Sequence, residues 1–184
     1  MGVTPAGTKV TVTDVTATLE QYGDFVPFSD VIEDTHEDPF LQQVSERLGE
    51  QAAQTMETIR WNIIKAGTNV FYANGSVRTD VNTPITLALQ RKCTRALKRQ
   101  NAMYITNVVA STPQFRTEPV EASYIGLVHP DVENDIRNIS GFIPTKQYGS
   151  TTPWSNEIGA VEDVRYLRST IFTAFADGGG AKGA

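Results

Sequence analysis

Residues 38–67 read Asp38-Pro-Phe-Leu-Gln-Gln-Val-Ser-Glu-Arg-Leu-Gly-Glu-Gln-Ala-Ala-Gln-Thr-Met-Glu-Thr-Ile-Arg-Trp-Asn-Ile-Ile-Lys-Ala-Gly67. Leu41, Val44, Leu48, Ala52, Met56, Ile59, Ile63 and Ala66 recur every three or four positions, the period that sets side chains on one face of an α-helix. Asp38 is a good N-cap, because its carboxylate accepts from the unpaired amides of the first turn. Pro39 follows at the first helical position, where a missing N–H costs nothing. Gly67 is suited to the left-handed conformation that closes a helix. The pattern predicts a helix over 38–67, roughly 28 residues between its caps and roughly 42 Å long at 1.5 Å per residue. That exceeds the usual globular helix of about 8–20 residues. Apolar on one stripe only, it reads as a rod along which other parts lie.

The composition around this rod is ordinary. The chain has 184 residues, 40% hydrophobic and 20% charged, enough for one domain or two small ones with a substantial core. A net charge of −5 argues against binding nucleic acid over the whole surface and leaves a local basic face open. Cys93 is the only cysteine, so no intramolecular disulfide forms, in keeping with a reducing compartment. No apolar run approaches the ~18 residues of a membrane span. No basic region followed by an apolar segment opens the chain, so no signal peptide is expected.

Before the rod, Val10–Leu19 alternates. Val10 and Val12 share one face, Val15, Ala17 and Leu19 the other, with threonines between. This predicts a strand with a bulge or twist near Asp14. Nothing precedes it to pair with, so it needs a later strand or another molecule. Val10 and Val12 are therefore candidate subunit-contact residues. Gln21–Phe28 reads as a second extended stretch, bent at Gly23 and confined to an edge by Pro27. The run Glu33-Asp34-Thr35-His36-Glu37-Asp38 admits two readings: a metal site of one imidazole and several carboxylates, or an exposed linker whose charge favours the positive end of the next helix.

Beyond Gly67, residues 68–73 read as a short strand and Asn74-Gly75 as a turn. Thr83-Pro84 repeats the capping grammar of Asp38-Pro39 and predicts a second helix to about Asn101. Arg91, Lys92, Arg95, Lys98 and Arg99 cluster in its C-terminal half. Arg91, Arg95, Lys98 and Arg99 form a candidate inter-subunit or DNA-facing basic face. The same cluster is equally a solvated face that complements the negative helix end, or a partner for neighbouring carboxylates. Met103–Val109 is a β-like apolar run. Glu121–Val128 is the clearest buried strand of the second half and ends at His129-Pro130-Asp131, where Pro130 pre-sets another helix. His129 reads either as a catalytic group at a strand end or as a turn cap. Residues 139–156 form a long irregular segment carrying Phe142, Tyr148 and Trp154. Aromatic anchors in a long loop fit an intermolecular contact, so these three are candidate subunit-interface residues. Residues 157–161 lead into a further strand over 164–170. Gly178–Gly183 reads as flexible and lacks the Ser or Thr and the strand–helix context of a phosphate-binding loop.

No carboxylate pair, Cys/His cluster, nucleophile elbow or dinucleotide fingerprint is present, and no cofactor is expected. Cys93 lacks a sequence-adjacent histidine to activate it and reads as a small buried residue.

Several segments in order carry a family likeness: 2–7, 21–24, Leu48-Gly49-Glu50-Gln51-Ala52, Ala66-Gly67-Thr68-Asn69-Val70, His129-Pro130-Asp131-Val132, Gly159 and Val164-Arg165-Tyr166. Together they resemble the major capsid proteins of tailed bacteriophages, in the N4-like branch. The resemblance spans nearly the whole chain and implies an α+β fold of the Hong Kong capsid type, shared with encapsulins. Residues 38–67 would be the spine helix within a peripheral domain over 21–75. Residues 1–20 would be the returning part of an extended loop, 76–171 the axial domain, and 172–184 a flexible return toward the peripheral domain. Relatives in that family are longer, so the resemblance implies a chain truncated at both ends.

The function so implied is a non-enzymatic structural subunit. Copies would self-assemble as pentamers and hexamers into an icosahedral shell around double-stranded DNA, held without sequence-specific binding. Portal, scaffolding or decoration proteins would be further partners. The protein would be made in the host cytoplasm, reside in the virion and contact no membrane. Competing readings are an encapsulin-like compartment, a small α+β enzyme whose pocket uses His129, Asp131 and Glu133, and a DNA-binding module using Arg91–Arg99.

Overall fold

The long helix forms where its spacing predicts. The computed structural model describes residues 7, 11–27, 40–107, 119–149, 152–175 and 178–180; Asp38 and Pro39 lie outside them. Helix α1 runs Phe40–Lys65. Gly67 does not take a positive φ; the end closes instead through Gly67 N–H donating to the Ile64 carbonyl at 3.1 Å. The chain divides into two compact units, residues 1–50 and 51–184, with the division inside α1.

In the first unit, residues 11–27 pair with no strand and expose every described side chain. The strand expected over Val10–Leu19 is therefore not formed within the described residues, and Val10 lies outside them. Strand propensity alone does not order a segment without a ladder partner to take its amides.

The second unit is built on a four-stranded sheet. Its strands are β1 (Tyr124–Val128), β2 (Phe142–Pro144), β3 (Glu157–Val161) and β4 (Val164–Arg168), in the order β1-β4-β3-β2. β1 runs parallel to β4; β3 is antiparallel to both β4 and β2. Two helices accompany the sheet, α2 (Leu87–Arg99) and the short α3 (Glu133–Arg137). The molecule is α+β, a mixed sheet with helices.

Local chemistry explains where the boundaries differ from the pattern. α2 begins three residues later than Thr83-Pro84 predicts, because Thr86 is the cap and its hydroxyl accepts from Leu89 N–H at 3.3 Å. The Thr83 hydroxyl is held instead by Asn74 Oδ1 at 3.2 Å. Asn74 also accepts from Asn82 N–H at 3.0 Å and donates to Asn82 Oδ1 at 2.7 Å, stapling the loop. α2 ends in a Schellman motif: Asn101 has φ 56°, Asn101 N–H donates to the Lys98 carbonyl at 3.0 Å and Ala102 N–H to Leu97 at 3.1 Å. The glycine run read as flexible is docked at its start. Gly179 and Gly180 N–H donate to the Arg78 and Val81 carbonyls at 3.1 and 2.7 Å. Ahead of it, Trp61 stacks on Phe172 at 5.0 Å, and Lys65 donates to the Ala174 carbonyl at 2.7 Å.

The sheet has apolar clusters of different membership. Ile136, Ile139, Ile158, Val161, Val164 and Tyr166 form one, with Ile85, Leu87, Val128 and Phe142 against it. Val120, Tyr148 and Ala160 form the other, with Ile143. A register shift between Glu157 and Gly159 lets Ile158 and Val161 share the first cluster while Ala160 joins the second. Gly159, with φ 156°, is needed at that kink: a β-carbon there would lie 2.5 Å from the Ile143 carbonyl oxygen and from the Phe142 ring.

Candidate functional site

The most elaborate side-chain constellation is a buried ion pair. The Glu157 carboxylate accepts two parallel bonds from Arg165, Nε to Oε1 and Nη2 to Oε2, both 2.7 Å. The two side chains are 0% and 4% exposed. Tyr148 O–H donates to Oε1 at 2.7 Å and Trp154 N–H to Oε2 at 3.0 Å. The guanidinium lies 4.2 Å from the Trp154 ring centroid and 5.5 Å from that of Tyr148. Burial works to raise the Glu157 carboxyl, but the bonds from Arg165, Tyr148 and Trp154 outweigh it and hold it below the usual range. Burial, then the bond to Glu157, pushes the Tyr148 hydroxyl upward. Among the described residues no fully buried side-chain polar atom lacks a partner, and the network fastens Tyr148 and Trp154 to the sheet.

Two of the aromatics read as contact anchors therefore serve the fold. Tyr148 is buried within the chain, 6% exposed, with its hydroxyl turned to Glu157. Trp154 keeps 39% exposure. Phe142 is half-buried against the core, with the Arg137 guanidinium 5.5 Å from its ring.

The basic face is divided. Gln90 docks α2 onto the sheet, donating to the Val161 carbonyl at 2.7 Å and accepting from Tyr166 O–H at 2.8 Å. That brings Arg91 and Lys98 onto the β3–β4 turn. Arg91 forms a bidentate pair with Glu162, and Lys98 meets Asp163 at 2.5 Å. The bond to Asp163 raises Lys98 above its ordinary value, and the Arg91 bond lowers Glu162. Arg95 and Arg99, four residues apart, are exposed and have no carboxylate partner among the described residues. The sequence offered no signal for which cations are paired, because Glu162 and Asp163 lie more than sixty positions away.

His129 is a structural cap: Nδ1 accepts from Asp131 N–H at 3.3 Å at the head of the turn Pro130–Val132. Glu133 is held by Arg137 and Arg168, at 2.6 and 2.8 Å, which lowers its carboxyl. The acids proposed beside His129 for an enzyme site are thus engaged in turn and ion-pair contacts. Among the described residues no group of three or more His, Cys, Asp or Glu is poised for a metal, and no helix is long and apolar enough to cross a membrane. The acidic run at 33–38 lies outside them. Half-buried Cys93 has its thiol raised by burial, the inert direction.

The surfaces left open are apolar. α1 has no buried residue; Leu41, Met56 and Ile63 of its stripe are 47%, 50% and 70% exposed. Val12, Val15 and Leu19 are more than four-fifths exposed, at 83%, 89% and 95%.

No curated protein matches the chain. The phage capsid protein family matches residues 12–183, nearly the whole sequence. That family is structural and non-enzymatic, and its place is the virion. The chain belongs to the phage capsid protein family.

Proposed function

We propose that the chain is a major capsid subunit of the N4-like branch that associates through many identical interfaces into an icosahedral shell around double-stranded DNA. The carrying observation is α1, a 26-residue amphipathic helix with no buried residue. A solitary soluble protein has no use for so long an open apolar stripe; a subunit covers it against another copy. The exposed segment 11–27 supplies a second such surface, with Val12 near its start; Val10, outside the described residues, is proposed as a contact beside it. In this reading α1 is the spine of a peripheral domain over 21–75, and 1–20 is the returning part of an extended loop. Residues 76–171 form the axial domain and 172–184 return toward the periphery. Phe142 and Trp154 lie near the capsomer contacts. The DNA is enclosed without sequence-specific binding, portal, scaffolding or decoration proteins are further partners, and synthesis takes place in the host cytoplasm.

Size-exclusion chromatography with light scattering, followed by negative-stain electron microscopy, tests the reading. Rings, sheets or closed particles growing with concentration are expected. A strictly monomeric chain across protein concentration and ionic strength contradicts it.

A further inference from the structure

We infer that the C-terminal end of α2, with the turn that follows, is a contact surface for a second copy of this chain: an apolar centre of Leu97, Met103, Tyr104 and Ile105 with Arg95 and Arg99 at its rim. The inference rests on the shell reading above and names one of its interfaces.

The surface is assembled by the Schellman turn. Ala102 N–H folds back onto the Leu97 carbonyl at 3.1 Å, and the chain that follows sets Tyr104 beside the helix end. Lys98 Nζ lies 5.7 Å from the Tyr104 ring centroid, and Tyr104 packs on Tyr124 of β1 at 4.8 Å. Ile105 and Thr106 N–H both donate to the Ser123 carbonyl, at 3.1 and 3.2 Å. The backbone here is fastened, yet the apolar side chains point outward: Met103 is 87% exposed, Ile105 65%, Tyr104 43% and Leu97 38%. Fixed backbone with open Met, Tyr and Leu is an arrangement that loses little entropy on binding, and Met, Tyr and Arg are enriched in protein interfaces.

Charge selects the occupant. The end of α2 carries five cations, Arg91, Lys92, Arg95, Lys98 and Arg99, and two of them are paired with Glu162 and Asp163. What remains is a basic island on a chain of net charge −5. A second copy brings excess carboxylate to that island. Nucleic acid would also answer the arginines, but phosphate has no use for the apolar centre, and no aromatic residue is interleaved with the cations for base stacking.

Sedimentation velocity of the full chain, wild type against Arg95→Glu/Arg99→Glu and against Met103→Asp, tests this, with thermal melting as the folding check. Arg95 and Arg99 have no carboxylate partner among the described residues, so the double variant is expected to melt with the wild type. Its self-association is expected to weaken at least tenfold. Met103→Asp is expected to weaken association while leaving its dependence on salt in place. Variants that associate like the wild type overturn the interface and leave the shell reading standing. A wild-type chain that stays monomeric overturns both. Unchanged association with loss of salt-dependent binding to a double-stranded DNA fragment overturns the interface in favour of a nucleic-acid face.

Discussion

Removing the Arg165 guanidinium would leave the Glu157 carboxylate buried with only Tyr148 and the Trp154 amide to hold it. Breaking a buried pair in this way costs about 3–5 kcal/mol, whereas replacing both partners by apolar groups is often close to neutral. Arg165→Met is therefore expected to lower the unfolding free energy by that amount in a urea titration, and Glu157→Leu with Arg165→Met to recover most of it. The pH dependence follows from the direction of the shift. The Glu157 carboxyl lies lower folded than unfolded. Its contribution is complete above the unfolded value of about 4.3 and is lost as pH falls through the depressed folded value. Glu157→Gln is expected to flatten the acid limb of a stability–pH curve relative to the wild type. At the same kink, Gly159→Ala places a methyl 2.5 Å from a backbone oxygen. It is expected to destabilise by about 1–3 kcal/mol, the usual range for overpacking.

Among the elements, α2 and α1 behave oppositely. α2 is anchored on its buried side by Gln90, which satisfies both the Val161 carbonyl and the Tyr166 hydroxyl, with Arg91 and Lys98 paired at its surface. Gln90→Ala is expected to cost about 1–3 kcal/mol for each buried group left unpaired, seen as a lower thermal midpoint. Met56 and Ile63 of α1 are 50% and 70% exposed, so Met56→Gln with Ile63→Gln is expected to leave the isolated chain within about 0.5 kcal/mol of wild type. The contrast also marks what the sequence makes legible. A 3.6-residue apolar period is a local signal, and it located the C-terminal end of α1 to within two residues; the expected cap at Asp38 lies outside the described residues. β2 escaped notice because it is three residues long and contains Pro144, which suits only a sheet edge. The β3–β4 hairpin turns at Glu162-Asp163 with Glu162 at φ 48°, where the familiar signal is Asn-Gly. Thr83-Pro84 imitated a helix start because its competitor, the Asn74 amide, is nine residues away. The Glu157–Arg165 pair has no local signature: it exists only through strand register and the kink at Gly159.

For the whole molecule, membership of the phage capsid protein family and an uncovered α1 lead to one expectation: the stripe becomes covered when copies meet. Burying a Leu or Ile side chain is worth about 1.5–3 kcal/mol, so several repeated along one helix supply a substantial contact without any catalytic chemistry. The capsid role makes sense of a helix that is too long and too open for a solitary domain. The basic end of α2 and the segment 11–27 would then be further seams of the same assembly. Hydrogen–deuterium exchange along α1, compared between the dilute chain and its assembled particles, tests this most directly. The account predicts that amides over 41–63 exchange at least tenfold more slowly in the particles. Equal exchange of α1 in the two states would contradict it.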